Sequence, residues 1–400
     1  MRTLVLDNGS HTIKGGYAGE EDGGADQPRV IPNTVTRTRR TRRVCVADLA
    51  EAGAADLSGL YYRSPFERGY LVHWDAELVI WDRVLSDDVL GCTPGETHLT
   101  VTEPVLNFGQ IQRNMDEVVF EEYGFASAVR APATRLALEA AGAQSECLVV
   151  VDAGHAFTYV VPYRDGRQVG DAIRRVDVGG RLLTNYLKET VSFRYWDMMD
   201  ETYIMSAVKE QTCYVAQDFA AAQEAAAQAR IDYVLPDFVH SRRGFIRGQG
   251  GASELLVAGG PADQQVLPLA RERFAVPEAL FHPSDLGIDH SGGIHNAVIQ
   301  AINACAPETR PVMLANIVLV GGSARLPGLR KRLQAEIQAL SPSGSLVRVT
   351  VPGGDTPATC AWQGGCLLAA KKNDSGWRIS RQEFHEIGPD RTTAHFSRFI

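Results

Sequence analysis

The segment LVLDNGSHTIKGGYAG, from Leu4 to Gly19, is the most informative part of the sequence for the architecture of the chain. It begins as an apolar strand, reaches the acid Asp7 at the strand end, and continues into a turn with Gly9 and Ser10. Glycine and serine let backbone N–H groups point at phosphate oxygens without an obstructing Cβ. Lys14 follows as a point charge that could reach the same phosphate. The stretch therefore predicts a phosphate-binding turn.

Two further apolar strands end in similar turns, CLVVVDAGHAFTYVVP (residues 147–162) and NIVLVGGSARLPG (residues 316–328). Their turns contribute Asp152, Gly154, Gly321, Gly322 and Ser323. One such turn is usually only a turn, but three in this order predict a nucleotide cleft. Asp7 and Asp152 could hold the water shell of a magnesium ion, which keeps most of its own waters. The alternatives at this point are turn-capping carboxylates and an exposed strand lysine at position 14.

Length and composition limit the class of protein. The chain has 400 residues, 44% hydrophobic and 22% charged, which is typical of a compact globular protein with two or three cores. No apolar run approaches the roughly 20 residues that span a bilayer, and the N-terminus lacks the layout of a secretory signal. We therefore expect no membrane association and a cytosolic or nuclear location.

Charge and cysteine content exclude other classes. A net charge of -8 argues against a protein that wraps free nucleic acid, which requires clustered Lys and Arg. The seven scattered cysteines include no CxxC pair and are interpreted as reduced core residues. One local exception is the basic segment TRTRRTRRVC, whose arginines are Arg37, Arg39, Arg40, Arg42 and Arg43.

Strand and helix patterns alternate in two rounds, which predicts a duplicated α/β architecture. The first round comprises a strand–turn–strand over residues 1–30, a strand at 99–104, and helices at 76–90, 110–123 and 133–142. The second round begins with a strand from residue 147, a hairpin at 165–166 and a helix after 179–180. A helical stretch at 203–231 and a loop or hairpin at 240–252 follow. The round ends with a helix at 292–306, the strand NIVLV, and helices from residue 361 onward.

Ordered motifs along almost the whole chain resemble the actin superfamily. They are DNGSHTIKGGYAG, TEPVLN, DAIRRVDVGGRLLTNYL, KEQTCYVAQDF, PEALFHPSDLG, GGIHNAVIQAI, VGGSARLPG and WRISRQEFHEIGP. The resemblance implies an α/β, actin-like fold, a ribonuclease-H-like duplication with two large lobes in four subdomains around a nucleotide cleft. From the residues alone, any member of the wider sugar-kinase and chaperone ATPase fold remains an alternative.

The resemblance also implies subdomain boundaries. Subdomain 1 is expected to comprise 1–28, 64–142 and 360–400; subdomain 2, short and Arg-rich, 29–63; subdomain 3, 143–178 and 285–359; and subdomain 4, 179–284.

Three longer motifs resemble a nuclear branch of the actin-related proteins. They are FERGYLVHWDAELVIWD, FEEYGF and LKETVSFRYWDMMDETY. This resemblance implies a nuclear subunit, with a cytoplasmic pool as a further option, of an ATP-dependent remodeller that exchanges a core histone for its variant. The implied partners are the motor subunit, which carries the ATPase activity, a small zinc-finger subunit, and the nucleosome.

Departures from actin argue against hydrolysis by this chain. His11 is expected to contact the ligand, but it replaces a glycine of the first loop and crowds the phosphates. His155 and Ala156 replace an Asp-Gly pair, and Tyr159 replaces a histidine that organises the attacking water. The water-positioning glutamine is expected at Thr134 or Arg135, and neither offers the same amide. Because aligning a nucleophile changes rates by orders of magnitude, we expect a non-hydrolysing protein. The alternative is an active ATPase that switches conformation with its nucleotide.

The base-binding side implied by the resemblance is partly retained. Lys209 and Glu210 match the pair near the adenosine, and the turn at Gly321 matches the loop beneath it, whereas Ala358 and Thr359 replace packing residues. ATP or ADP with Mg²⁺, held structurally, is therefore expected. An ordinary charged pair on a helix face is the alternative for Lys209 and Glu210.

Candidate partner surfaces lie elsewhere. The segment between Ile31 and Phe66 is shorter than in actin, and its arginines should repel a second copy, so we expect no polymerisation. The same arginines suit an acidic partner, linker DNA or the acidic nucleosome face, or form a solvated loop. Phe193, Tyr195 and Trp196, with two methionines after them, either contact a partner or fill the small core of subdomain 4. The segment HSRRGFIRGQGG is a second candidate, with a solvated hairpin as its alternative.

Overall fold

The computed structural model describes residues 1–19, 27–38, 42–49, 60–142, 145–238, 241–249, 264–288, 292–352, 356–371 and 376–397. The predicted partner residues Arg39 and Arg40 lie outside this part of the chain.

The first lobe is built on a six-stranded sheet in the order β20-β10-β9-β1-β2-β3. Its strands are β1 (Arg2–Asn8), β2 (Thr12–Tyr17), β3 (Arg29–Pro32), β9 (Thr97–Glu103), β10 (Ser127–Pro132) and β20 (Ile379–Ser380). β1 pairs antiparallel with β2 and parallel with β9, which in turn runs parallel to β10. The carboxyl ends of β1, β9 and β10 therefore meet at one edge of the sheet.

The helices of this lobe cover both faces of the sheet. They are α1 (Trp74–Leu85), α2 (Gly109–Glu117), α3 (Ala133–Ala140), α11 (Cys360–Ala370) and α12 (Arg381–Ser397). The LVL run of β1 is fully buried, because Leu4 and Leu6 pack into the main core of the lobe while Val5 packs against Trp362 on the opposite face. A strand that is buried on both faces reads as a continuous apolar run.

The second lobe repeats this arrangement. Its sheet has the order β13-β12-β11-β18-β19, with β14 also paired to β12. The strands are β11 (Cys147–Ala153), β12 (Thr158–Arg164), β13 (Arg167–Gln168), β14 (Arg174–Val176), β18 (Ile317–Val320) and β19 (Val349–Thr350). β11 pairs antiparallel with β12 and parallel with β18, as β1 does with β2 and β9. This duplication agrees with the α/β, actin-like fold expected from the sequence.

Smaller sheets and the remaining helices extend the two lobes. A three-stranded sheet of β4 (Val35–Thr38), β5 (Val44–Val46) and β6 (Leu60–Arg63) belongs to the first lobe, as does the hairpin of β7 (Phe66–Glu67) and β8 (Tyr70–Leu71). In the second lobe, β15 (Ile231–Val234), β16 (Phe245–Ile246) and β17 (Val266–Leu269) form another sheet. The helices of that lobe are α4 (Gly180–Arg194), α5 (Thr202–Thr212), α6 (Phe219–Glu224), α7 (Glu272–Glu278), α8 (Ile294–Ala304), α9 (Arg310–Ala315) and α10 (Leu329–Leu340).

The structure corrects two predicted helices. The helix expected over 76–90 begins at Trp74 and ends at Leu85. The helical stretch expected over 203–231 is broken after Thr212, where the N–H of Tyr214 donates to the carbonyl of Arg273 and that of Val215 to Pro327. These tertiary hydrogen bonds outweigh the helix propensity of the Ala-rich segment, whose helix is confined to α6.

The segment expected as a loop or hairpin over 240–252 contains β16, which pairs with β15 outside it. Residues 240 and 250–252 of this segment lie outside the described chain. All seven cysteines are free. Across the described residues, no helix combines the length and apolar character needed to cross a membrane.

Candidate functional site

The two lobes face each other across a cleft of about 910 Å³. All twelve residues that the sequence analysis assigned to ligand binding line it. They are Asp7, Gly9, Ser10, His11, Lys14, Asp152, Gly154, Lys209, Glu210, Gly321, Gly322 and Ser323. The strand-end turns of β1, β11 and β18 therefore converge on a single cavity, whose size suits a small-molecule ligand.

The first loop holds Asp7 by two contacts from its own lobe. Lys14 lies opposite Asp7 in the β1–β2 register, and its Nζ is 3.0 Å from Asp7 Oδ2. The Thr102 hydroxyl, from the end of β9, donates to Asp7 Oδ1 at 3.0 Å. The acid is thus fixed by an ion pair and a hydrogen bond.

Asp152 occupies the corresponding position at the end of β11. Although it borders the cleft, the surrounding protein raises the pKa of its carboxyl to about 6, chiefly by burial and then by repulsion from Asp7, while Lys14 opposes the rise. Lys14 therefore supplies positive charge to both predicted magnesium-binding acids. A bound cation would share them with this ammonium group.

A stack of two histidines joins the loops. The imidazole rings of His11 and His155 lie with centroids 4.4 Å apart and planes 17° from parallel. Although the His11 side chain is exposed to the cleft, desolvation by the surrounding protein, followed by the charges of Lys209 and Lys14, lowers its pKa to about 4. Burial and the same neighbours, together with His11 and Arg181, lower the pKa of His155 well below its ordinary value. Both rings are neutral at pH 7 and bring no charge toward a phosphate.

A buried carboxyl that the sequence analysis missed supports the first loop from beneath. Glu77 of α1 accepts hydrogen bonds from Asn8 Nδ2 at 2.6 Å and from Trp81 Nε1 at 3.1 Å. Asn33 lies beside it, and its amide Nδ2 donates to the Gly9 carbonyl at 3.1 Å. Burial raises the pKa of Glu77 to about 7. In the sequence, the only sign of this site is a glutamate at the helical spacing of the otherwise apolar stripe of α1.

The third loop requires its first glycine. Gly321 has φ +92°, and a Cβ there would lie 2.5 Å from the carbonyl oxygen of Ala153. Gly322, by contrast, has no atom of the described residues beyond its chain neighbours within 4 Å of its Cβ position, so its backbone faces open space in the cleft. The Ser323 hydroxyl donates to the Gly154 carbonyl at 3.4 Å, which ties the third loop to the second.

The two residues predicted to lie near the base, Lys209 and Glu210, differ in burial. Lys209 is buried, and its Nζ donates to the Gly180 carbonyl at 3.0 Å and to the Thr184 hydroxyl at 2.9 Å. Burial lowers its pKa. Glu210 is exposed on the cleft wall, and Ala358 and Thr359 line the cleft at a helical turn.

The structure corrects the expected position of the water-orienting residue. Thr134 is fully buried and within 2.9 Å of the Tyr163 hydroxyl, while Arg135 bonds Glu139 and stacks on Trp377. Neither lines the cleft; Ala133, in the same first turn of α3, does. The methyl group of Ala133 cannot hold an attacking water, so this position does not support hydrolysis.

The residues fit a nucleotide in part. Cavity size, three converging turns and the open backbone at Gly322 suit it. The stacked rings of His11 and His155 stand between two of those turns, so a phosphate seated there must displace them. The carboxylates of Asp7 and Asp152 suit a hydrated magnesium ion.

The predicted partner residues lie at the surface. Arg37 on β4 and Arg42 and Arg43 in the turn before β5 are exposed. Phe193, Tyr195 and Trp196 follow one another at the end of α4 and are exposed as well. Of that aromatic and methionine cluster, Met198 is the member that enters the core.

Comparison with known proteins agrees with this architecture. The Actin family model matches residues 1–397. An actin-related protein 6 from Drosophila melanogaster is 37% identical over 399 residues, covering 96% of this chain and 97% of the relative. Proteins of the same name from Neurospora crassa and Oryza sativa subsp. indica are 37% and 33% identical, with 96% and 98% of this chain covered and 92% and 98% of the relatives. The match of fold, loops and full-length relatives shows that this chain belongs to the actin family.

Proposed function

We propose that this protein is a non-catalytic structural subunit of an ATP-dependent chromatin remodeller that exchanges a core histone for its variant. The names of the full-length relatives support an actin-related role, and the sequence motifs carry the resemblance to the nuclear branch. The proposed partners are the motor subunit, which would hydrolyse ATP, a small zinc-finger subunit, and the nucleosome. The proposed location is the nucleus, with the cytoplasm as a secondary compartment.

The observation that carries the non-catalytic part of the proposal is the stack of His11 on His155. It places two neutral rings side by side between the two phosphate loops. In addition, Ala133 occupies the cleft-facing position of α3, so the described cleft wall offers no amide there. Preorganised positioning of water and phosphate supplies most of the rate in phosphoryl transfer. Without it, a bound nucleotide would persist.

Side chains also join the lobes at two further contacts. Leu60 of β6 in the first lobe packs against Tyr203 and Phe238 of the second. The β7–β8 turn approaches Phe157, whose ring would lie 3.0 Å from a Cβ at Gly69. Together with the histidine stack, these contacts favour a clamp with a fixed lobe arrangement over a nucleotide-driven switch.

A nucleotide held by this clamp would be structural. Gly9, Ser10, Gly322 and Ser323 would cradle its phosphates, and Asp7 and Asp152 would face its magnesium ion. The ligand would contribute to stability by mass action, with the logarithm of its concentration over the dissociation constant.

A reconstitution experiment tests the role. Histone-variant exchange would be measured with a remodeller that lacks this subunit, then with the wild-type chain or Asp152→Asn added back. We expect the subunit to be required for exchange, and both chains to restore it to the same extent. Restoration by the wild type alone, with Asp152→Asn folded and incorporated, would favour the active ATPase instead.

A further inference from the structure

The segment that follows α4 exposes large apolar side chains in an unusual concentration. Phe193 is 93% exposed, Trp196 50%, Met199 44% and Tyr195 40%. Single exposed apolar residues are normal, but a contiguous set marks an interaction surface. Met198, at 5% exposure, is the residue of this run that fills the core. We call the four exposed side chains the aromatic patch.

The patch is held in a defined conformation. The buried Lys188 of α4 donates to the carbonyl of Met199 at 3.1 Å and to the Thr202 hydroxyl at 3.0 Å. The Met198 N–H donates to the Ser192 hydroxyl at 2.9 Å, and Met198 itself anchors the segment in the core. A buried ammonium group that stabilises this backbone keeps the apolar side chains on the surface, where a preorganised site binds at lower entropic cost.

The charged residues near the aromatic patch indicate the charge of the partner that it binds. Between residues 189 and 201 lie four acids, Glu189, Asp197, Asp200 and Glu201, and one base, Arg194. The guanidinium of that base is committed to Glu272 at 2.5 Å. The segment that carries these apolar side chains is therefore acidic, which disfavours nucleic acid and a second copy of the same segment.

We propose that the aromatic patch binds a polypeptide segment with apolar anchors flanked by Lys or Arg. The apolar anchors would cover Phe193 and Trp196, and the basic side chains would face the acids. Aromatic residues of this kind carry most of the free energy at such interfaces. The inference rests on the proposed role as a subunit held by other polypeptides and assigns one of its contact surfaces.

The test uses the full chain and three labelled synthetic peptides of equal length. One contains Leu and Lys, one Leu and Glu, and one Ser and Lys. Binding is measured by fluorescence anisotropy for the wild type, for Phe193→Ser with Trp196→Ser, and for the control Phe108→Ser with Leu340→Ser, which removes apolar side chains exposed elsewhere.

We expect the Leu–Lys peptide to bind more tightly than the other two, and the patch variant to weaken that binding roughly tenfold or more while the control does not. Glu189→Gln with Asp197→Asn should weaken it too and reduce its salt dependence. Equal weakening in patch and control variants, equal binding of the Leu–Glu peptide, or a wild-type dimer that the patch variant abolishes would overturn the proposal. Turnover of ATP by the chain would refute the proposed function instead, and peptide binding would still support this surface.

Discussion

His11 and His155 stack across the cleft, one ring from each lobe, with centroids 4.4 Å apart. Each ring lies in a loop whose backbone suits a phosphate, so the stack and a phosphate compete for one space. The backbone of the two loops therefore suits a nucleotide, whereas the side chains of His11 and His155 compete with its phosphates.

Removing one ring should therefore tighten nucleotide binding. A stacked aromatic pair contributes about 0.5–1.5 kcal/mol, so His11→Ala should bind MgADP about two- to tenfold more tightly than the wild type. Calorimetry would measure the change, with His385→Ala, an exposed histidine of α12, as the control. Because both rings belong to one stack, adding His155→Ala should give little further gain. Weaker binding by His11→Ala than by the control would contradict this account.

Glu77 gives a pH-dependent prediction. Its folded pKa, about 7, lies above its ordinary value of 4.5, so its contribution to stability is present below pH 4.5 and is lost as the pH rises to about 7. Glu77→Gln cannot ionise, and its amide could donate to Asn33 Oδ1, a buried atom that finds no hydrogen-bond partner among the described residues. Relative to the wild type, the variant should gain about 2.5 kcal/mol of unfolding free energy between pH 5 and pH 8.

The measurement is thermal or denaturant unfolding of both proteins at the two pH values. Glu121→Gln, on the surface, is the matched control and should show no such difference. A stability difference between Glu77→Gln and the wild type that is the same at pH 5 and pH 8 would rule out a buried ionisation at this position.

Gly364 gives a packing prediction at the crossing of α11 and α3. A Cβ at this glycine would lie 1.7 Å from the Leu136 carbonyl oxygen. Although alanine normally stabilises a helix interior, Gly364→Ala should lower the unfolding free energy by about 3 kcal/mol because the helices must separate. Gly109→Ala is the control, because a Cβ there would meet no atom of another described segment within 4 Å. Equal melting temperatures for the two variants would show that the crossing is loose.

The arginine segment gives a prediction about partners. Replacing Arg37, Arg39, Arg40, Arg42 and Arg43 by Gln should weaken contact of the assembled remodeller with nucleosomes in a salt-dependent manner. Band-shift titrations at low and moderate salt would measure the change, with Arg330→Gln and Lys331→Gln, two exposed bases of α10, as the control. Unchanged nucleosome affinity at low salt would leave these arginines as a solvated loop.

Sequence patterns were sufficient for much of the fold and for the residues that line the cleft. The apolar runs that end at Asp7 and Asp152 indicated the central strands, because fully buried strands need continuous apolar sequence. The break after Thr212 was not predictable, since it depends on hydrogen bonds to Arg273 and Pro327, residues distant in sequence.

Contacts between residues distant in sequence also limited what could be predicted inside the cleft. A histidine in each loop was visible in the sequence, but their stacking depends on how the two lobes face each other. Glu77 was hidden because a buried glutamate is unusual in an apolar stripe and becomes meaningful only beside Asn8 and Asn33. Ala133 was missed because one residue of helical rotation decides which side chain faces the cleft.

The fate of ATP on the purified chain tests most directly whether this protein hydrolyses its nucleotide. The protein would be incubated with γ-labelled ATP and magnesium, freed of unbound nucleotide, and assayed over hours for released phosphate. We expect bound ATP to remain intact, with phosphate release no faster than from Asp152→Asn. Phosphate release by the wild type that Asp152→Asn abolishes would contradict the account and establish an active ATPase.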